Sequence, residues 1–196
     1  MAISSLFISC KRTNDKDLLK STLPPQIIEL YMQGDYEGII LLTDSLRNNG
    51  IQYTDYIAEN RCDIAYCEAL IAVGRANDAI TELMGHINKV NPEDYYAYFA
   101  LGIAWIYLDD TINAIAAYDR AIELRPTYAR PYINLARIYR AIDKDKCMDN
   151  YAQAIWLFSA NQFYDEVLDL GVEACTIDST NAFILQCMIE ARLEKD

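Results

Sequence analysis

Along almost the whole chain apolar residues recur every three to four positions, and no stretch alternates apolar and polar residues as a half-buried strand does. The spacing predicts about ten helices of roughly 9 to 20 residues. Turn signals punctuate them: Leu23-Pro24-Pro25, Gln33-Gly34-Asp35, Asn48-Asn49-Gly50, Val73-Gly74-Arg75, Asn91-Pro92, Leu108-Asp109-Asp110, Arg125-Pro126, Asp143-Lys144-Asp145, Ala160-Asn161 and Asp178-Ser179-Thr180. Asn91, Thr127 and Ser179 are expected as helix N-caps, and Pro131 sits early enough in its helix to be tolerated.

The helices form a repeat. Tyr98, Leu101, Gly102 and Trp105 are followed by Ala114, Tyr118, Ala121 and Pro126. Thirty-four residues on, Tyr132, Leu135, Ala136 and Tyr139 occupy the first set of positions, and Cys147, Tyr151 and Ala154 follow with one residue deleted. Upstream, Tyr66, Cys67 and Leu70 lead to Gly74, Ala79, Leu83 and Pro92, and Gly34-Asp35-Tyr36-Glu37 has the look of a first, degenerate turn. Gly and Ala at the paired positions let two helices approach closely, while the large side chains fill the space between them.

This pattern resembles the tetratricopeptide repeat (TPR), a helix-turn-helix unit of 34 residues. The resemblance implies an all-α fold, a right-handed α-solenoid of about five TPR-like hairpins over 23–196, with repeats at about 23–50, 54–93, 95–128, 129–161 and 162–195. Past Asn161 two phases stand. Tyr164 to Asn181 matches a second helix and its closing turn, whereas simple alternation makes it a first helix with Leu170-Gly171 as signature pair. Alternation is the preferred phase, with the final helix 181–194 a polar cap bearing Glu190, Arg192, Glu194 and Lys195.

Composition narrows the function. Against 17 Lys and Arg stand 29 Asp and Glu, a net charge of -12, which disfavours nucleic acid and anionic lipid surfaces. The longest charge-free apolar run, Tyr95 to Leu108, is fourteen residues, too short for a transmembrane helix. The 6 Cys form no Cys-x-x-Cys motif, and Cys67, Cys147 and Cys187 fall in apolar helical patterns. Buried, reduced thiols point to a cytoplasmic, reducing compartment. Residues 1–22 are expected as a flexible tail. Within it, Ile3-Ser4-Ser5-Leu6-Phe7-Ile8-Ser9-Cys10 followed by Lys11-Arg12 resembles the end of a bacterial lipoprotein signal peptide, without its preceding basic residue. If the true start lies upstream, Cys10 becomes a membrane anchor.

Enzyme chemistry is not expected. There is no Gly-rich phosphate loop or nucleophile elbow, and the single His, His86, serves no metal set and stands where the repeat usually places a small Ala. No cofactor or metal is expected. In TPR proteins the concave groove is lined by first-helix side chains and holds a peptide or helix. That resemblance assigns Ile64 and Glu68, then Tyr96, Phe99 and Ile103, then Arg130, Ile133, Asn134 and Arg137 to partner binding. Residues 120–146 hold seven Lys and Arg against three acids, and Arg130 and Arg137 are seven apart on one helix face. Two readings stand: an ordinary solvated face, or a grip for an acidic segment. The expected function is a protein-protein interaction scaffold binding an acidic or amphipathic segment. The alternatives are a small acidic TPR chaperone for a secreted or membrane-inserting partner, and a TPR-containing lipoprotein in envelope assembly.

Overall fold

A computed structural model describes residues 25–48 and 61–195, and they contain ten helices and no strand. The helices are α1 Pro25–Gln33, α2 Tyr36–Asn48, α3 Arg61–Ala72, α4 Ala76–Lys89, α5 Tyr95–Tyr107, α6 Thr111–Leu124, α7 Ala129–Tyr139, α8 Lys144–Ala160, α9 Tyr164–Cys175 and α10 Ala182–Lys195. The expected 1–22 tail and the reading of Cys10 as a lipid anchor lie outside the described residues. Among those residues no helix is long and apolar enough to cross a membrane.

The chain divides into two compact units, one ending at Asp110 and one starting at Thr111. The division falls in the turn inside the 95–128 repeat. In the first unit α1 packs on α2, α3 on α4, and α5 on both α3 and α4. Ile39, Ile64, Leu70, Ala79, Leu83 and Ala100 form its interior. Cys67 is buried there and forms no disulfide. In the second unit α7 pairs with α8 and α9 with α10, and α6 lies on α7. Its core gathers Ala136, Cys147, Tyr151, Ala154, Ile155, Val167, Ala174, Ile184 and Cys187. Leu101, Gly102, Ala114, Tyr118 and Ala121 are buried as the repeat requires, Tyr98 and Trp105 are half-buried, and Pro126 stands exposed in its turn.

One turn recurs. After α1, α3, α5 and α8 the chain closes the helix with the same two backbone bonds. They are Gly34 N–H to the Tyr31 carbonyl with Asp35 to Leu30, and Gly74 to Ile71 with Arg75 to Leu70. They recur as Asp109 to Ile106 with Asp110 to Trp105, and Gln162 to Ser159 with Phe163 to Phe158. The residue at the corner takes positive φ each time: Gly34 73°, Gly74 84°, Asp109 58° and Gln162 63°. This is the left-handed closure of a helix C-terminus, for which glycine is the unstrained choice.

That signature marks the turn between first and second helices, and it appears before α9. The turn after α9, at Asp178 to Asn181, has the same pattern of bends as those at Asn91 to Asp94 and Arg125 to Tyr128, which precede first helices. By its flanking turns α9 has second-helix character and α10 first-helix character, although in order and pairing α9 still follows the α7–α8 hairpin and opens the next with α10. In agreement, α8 packs against α10 as well as α9. In this phase Gly171 replaces the aromatic of the repeat, and the Met188 side chain of α10 lies directly on it, where any Cβ would collide.

The expected caps each fall one to three residues early. Asn91 instead accepts from the Glu93 N–H to shape the turn, and Asp94 caps α5 by accepting from the Tyr96 and Ala97 N–H groups at 3.0 and 3.3 Å. Asp178 and Asn181 divide the same two tasks before α10. Tyr128 precedes α7 without a side-chain cap, so Thr127 does not cap it. At Asn91 and Asp178 the polar residue that opens the turn satisfies the backbone two residues on, and the cap falls to Asp94 and Asn181, three positions further.

Candidate functional site

On the first-helix faces of the first unit the polar groups are turned on one another. Glu68 of α3 is buried, and accepts hydrogen bonds from Tyr31 of α1 and Tyr96 of α5, both at 3.0 Å. Ile64 and Phe99 are buried beside it, and Ile103 is half-buried. A second cluster joins α2, α3 and α4. Arg47 lies 4.5 Å over the Tyr66 ring and grips Glu82 with two bonds of 3.2 Å, while the Tyr66 hydroxyl donates to Asp44 at 3.0 Å. Burial and that bond to a carboxylate push the Tyr66 hydroxyl up to about 12.

In the second unit Arg137 of α7 reaches Glu173 of α9 with two bonds of 3.0 and 2.9 Å, and Tyr151 of α8 donates to the same carboxylate at 2.7 Å. Burial opposes the Glu173 charge, but the bonds from Arg137 and Tyr151 outweigh it and hold the carboxyl below its ordinary range. Burial and the same bond push Tyr151 upward. Arg140 donates to Thr176 at 3.1 Å. Asn134 is buried and donates to the hydroxyl of the buried core residue Tyr118 at 3.1 Å.

His86, also buried, meets Asp94 at 3.1 Å through Nε2, while its Nδ1 has no hydrogen-bond partner. Burial would raise the Asp94 carboxyl, but His86 and then the α5 N–H groups hold it below its usual range. The pair ties the end of α4 to the start of α5.

These placements correct the expected groove. Ile64, Glu68, Phe99, Ile133 and Asn134 are buried within the chain, so they stabilise the helix array and present no open lining. Tyr96, Ile103, Arg130 and Arg137 keep partial exposure. The basic stripe is changed as well, because Arg137 is committed to Glu173. Reversing its charge would break an internal pair and lower the melting temperature, so it cannot act as a purely surface change. Residues that composition did not single out carry the architecture: Tyr31, Asp94, Glu173 and Thr176. A signal for them was present. Tyr31 and Glu68 are 37 apart, Arg47 and Glu82 35, Arg137 and Glu173 36, and Arg140 and Thr176 36. Each spacing is about one repeat, the distance at which successive units place equivalent positions side by side.

The exposed apolar residues are elsewhere. Leu41 on α2, Met84 on α4, Ile112 on α6 and Trp156 on α8 stand out to solvent, as do Val172 on α9 and Phe183, Leu185, Ile189 and Leu193 on α10.

Solved structures share this fold. A crystal structure of MamA is 20% identical, with a TM-score of 0.59 over 88% of this chain and 96% of that one. A second MamA structure is 22% identical, at 0.58 over 85% and 88%. The thermophilic TPR protein TTC0263 of Thermus thermophilus is 16% identical, at 0.55 over 86% and 96%. The fold is of the TPR type. No protein-family model matches the chain, and no curated protein matches it.

Proposed function

We propose that this chain is a non-catalytic scaffold that binds other proteins through helix faces. The observation that carries the reading is the distribution of large apolar side chains. Helices α2, α4 and α8, whose packed faces are tied by hydrogen-bonded carboxylates, keep Leu41, Met84 and Trp156 in solvent. A TPR-type fold supports it, since stacked hairpins offer extended helix surfaces. The sole histidine supports it too: His86 is buried and committed to Asp94, and so is poorly placed to move protons for a substrate.

The partner chemistry shifts accordingly. With Arg137 neutralised by Glu173, a grip for an acidic segment loses half of its stripe, and apolar recognition carries the interaction. Tyr96 and Ile103, seven apart on one face of α5 and both half-buried, remain the first-helix residues best placed to touch a partner.

Position-specific photocrosslinking in the source cell tests this. A crosslinker at Met84, Trp156 or Ile189 should trap the same protein reproducibly at one or more of these positions, and not at the exposed polar position Lys89. Trapping at none of them, or equal trapping everywhere, would overturn the scaffold reading.

A further inference from the structure

The last described helix has two apolar sides. Ile184, Cys187 and Ala191 are buried against the rest of the second unit. At ~100° per residue, Leu185, Ile189 and Leu193 lie within about 80° of one another on the opposite side. They are 38%, 55% and 73% exposed. The sequence pattern leads one to expect a polar cap here. A stacked array keeps an outer helix face polar or covers it with the next helix, and this face is neither.

The neighbouring helix extends the patch. On α9, Asp165, Asp169 and Val172 fall within about 60° of arc. Asp165 pairs with Lys195 of α10, so this stripe runs alongside α10. Val172 on it is 60% exposed. The borders are acidic: Asp165 and Asp169 on the α9 side, Glu190 and Glu194 on the far side of the Leu185-Ile189-Leu193 stripe. The cations nearby are Arg192 and Lys195, and Lys195 already answers Asp165.

We propose that this face of α9 and α10 docks a cationic amphipathic helix of a partner protein. The proposal deepens the scaffold reading and rests on it. Leucine-like side chains on the incoming helix would cover Val172, Leu185, Ile189 and Leu193, and flanking Lys or Arg would meet Asp169, Glu190 and Glu194. A second copy of this chain is the poorer occupant. A two-fold axis between antiparallel α10 helices keeps each border against its own equivalent, so Glu190 and Glu194 would face the same carboxylates of the copy. Two chains of charge -12 also repel at long range.

The test uses the full chain and a fluorescent, end-blocked helical peptide of about 18 residues, with Leu at helical spacing and Lys elsewhere. A matched peptide carries Glu for Lys. The cationic peptide should bind at least about tenfold tighter than the anionic one and weaken with salt. The double variant Ile189→Gln/Leu193→Gln, altered at exposed positions, should lose about tenfold or more, and Glu190→Lys/Glu194→Lys should lose the preference for Lys. Equal binding of both peptides, or undiminished binding by Ile189→Gln/Leu193→Gln, would overturn the proposal. So would a dimer in sedimentation that those substitutions dissociate, since the occupant would then be a second copy. Crosslinking at Met84 or Trp156 separates the two readings: a partner trapped there while the peptide fails would leave the scaffold standing and remove this surface.

Discussion

At the scale of single residues, the chain uses carboxylates as ties between helices. Glu173 accepts from both Arg137 and Tyr151, so one side chain fixes three helices. Replacing it by Gln should cost about 1–3 kcal/mol at neutral pH, because the half-buried guanidinium loses its counter-charge. The pH dependence has a definite sign. A carboxyl held below its ordinary 4.5 stabilises the fold fully above that value and loses the contribution as pH falls through its folded value. Thermal melts of parent and Glu173→Gln should therefore differ at pH 7 and converge in acid; a gap that persists in acid would show that the charge is not what matters. Asp94 performs two tasks, capping α5 and partnering His86. Asp94→Ala should cost about 2–3 kcal/mol by loss of both, and Asp94→Asn, which keeps a cap acceptor, about 1 kcal/mol less in chemical denaturation. None of these roles shows in composition, where an acidic residue reads as solvated surface. Each becomes visible once side chains one repeat apart are compared.

At the scale of elements, helix positions were legible because apolar periodicity and turn residues agree. The caps and the phase were less so. Asn91 is displaced because its side chain is consumed in a local turn bond, Ser179 lies in a turn shaped by Asp178 and capped by Asn181, and Thr127 leads into Tyr128, where no side chain caps the helix. The phase of α9 was ambiguous because Leu170-Gly171 imitates a first-helix signature, while Gly171 in fact makes room for Met188. Gly171→Ala meets only the flexible Met188 side chain, which can turn aside, and gains roughly 1 kcal/mol of helix propensity. It should therefore stay within about 1 kcal/mol of the parent, while a Gly171→Ala/Met188→Ala double-mutant cycle of urea midpoints should show coupling between the two positions. Additive effects would mean that the two residues do not touch. The expected groove was the part least legible in the sequence. The large residues expected to line it are consumed in holding neighbouring helices together, which a helix taken alone does not reveal.

At the scale of the whole molecule, a net charge of -12 coexists with exposed Leu, Ile, Val and Trp side chains. Charge repulsion keeps those apolar surfaces apart at neutral pH. As pH approaches the pI of about 4.5, light scattering should rise sharply, and added salt at neutral pH should favour association in the same way. Scattering that stays flat through this range would mean that the apolar faces do not drive self-association. Sealed thiols give the molecule one more property. Cys67 lies inside the first unit, Cys147 and Cys187 inside the second, and burial pushes Cys147 and Cys187 toward the unreactive protonated form. An oxidant or alkylating agent can reach them only in the instants when a unit breathes open. The chain thus holds a chemical clock in each half, and the rate at which each sulfur is consumed reports how often that half comes apart.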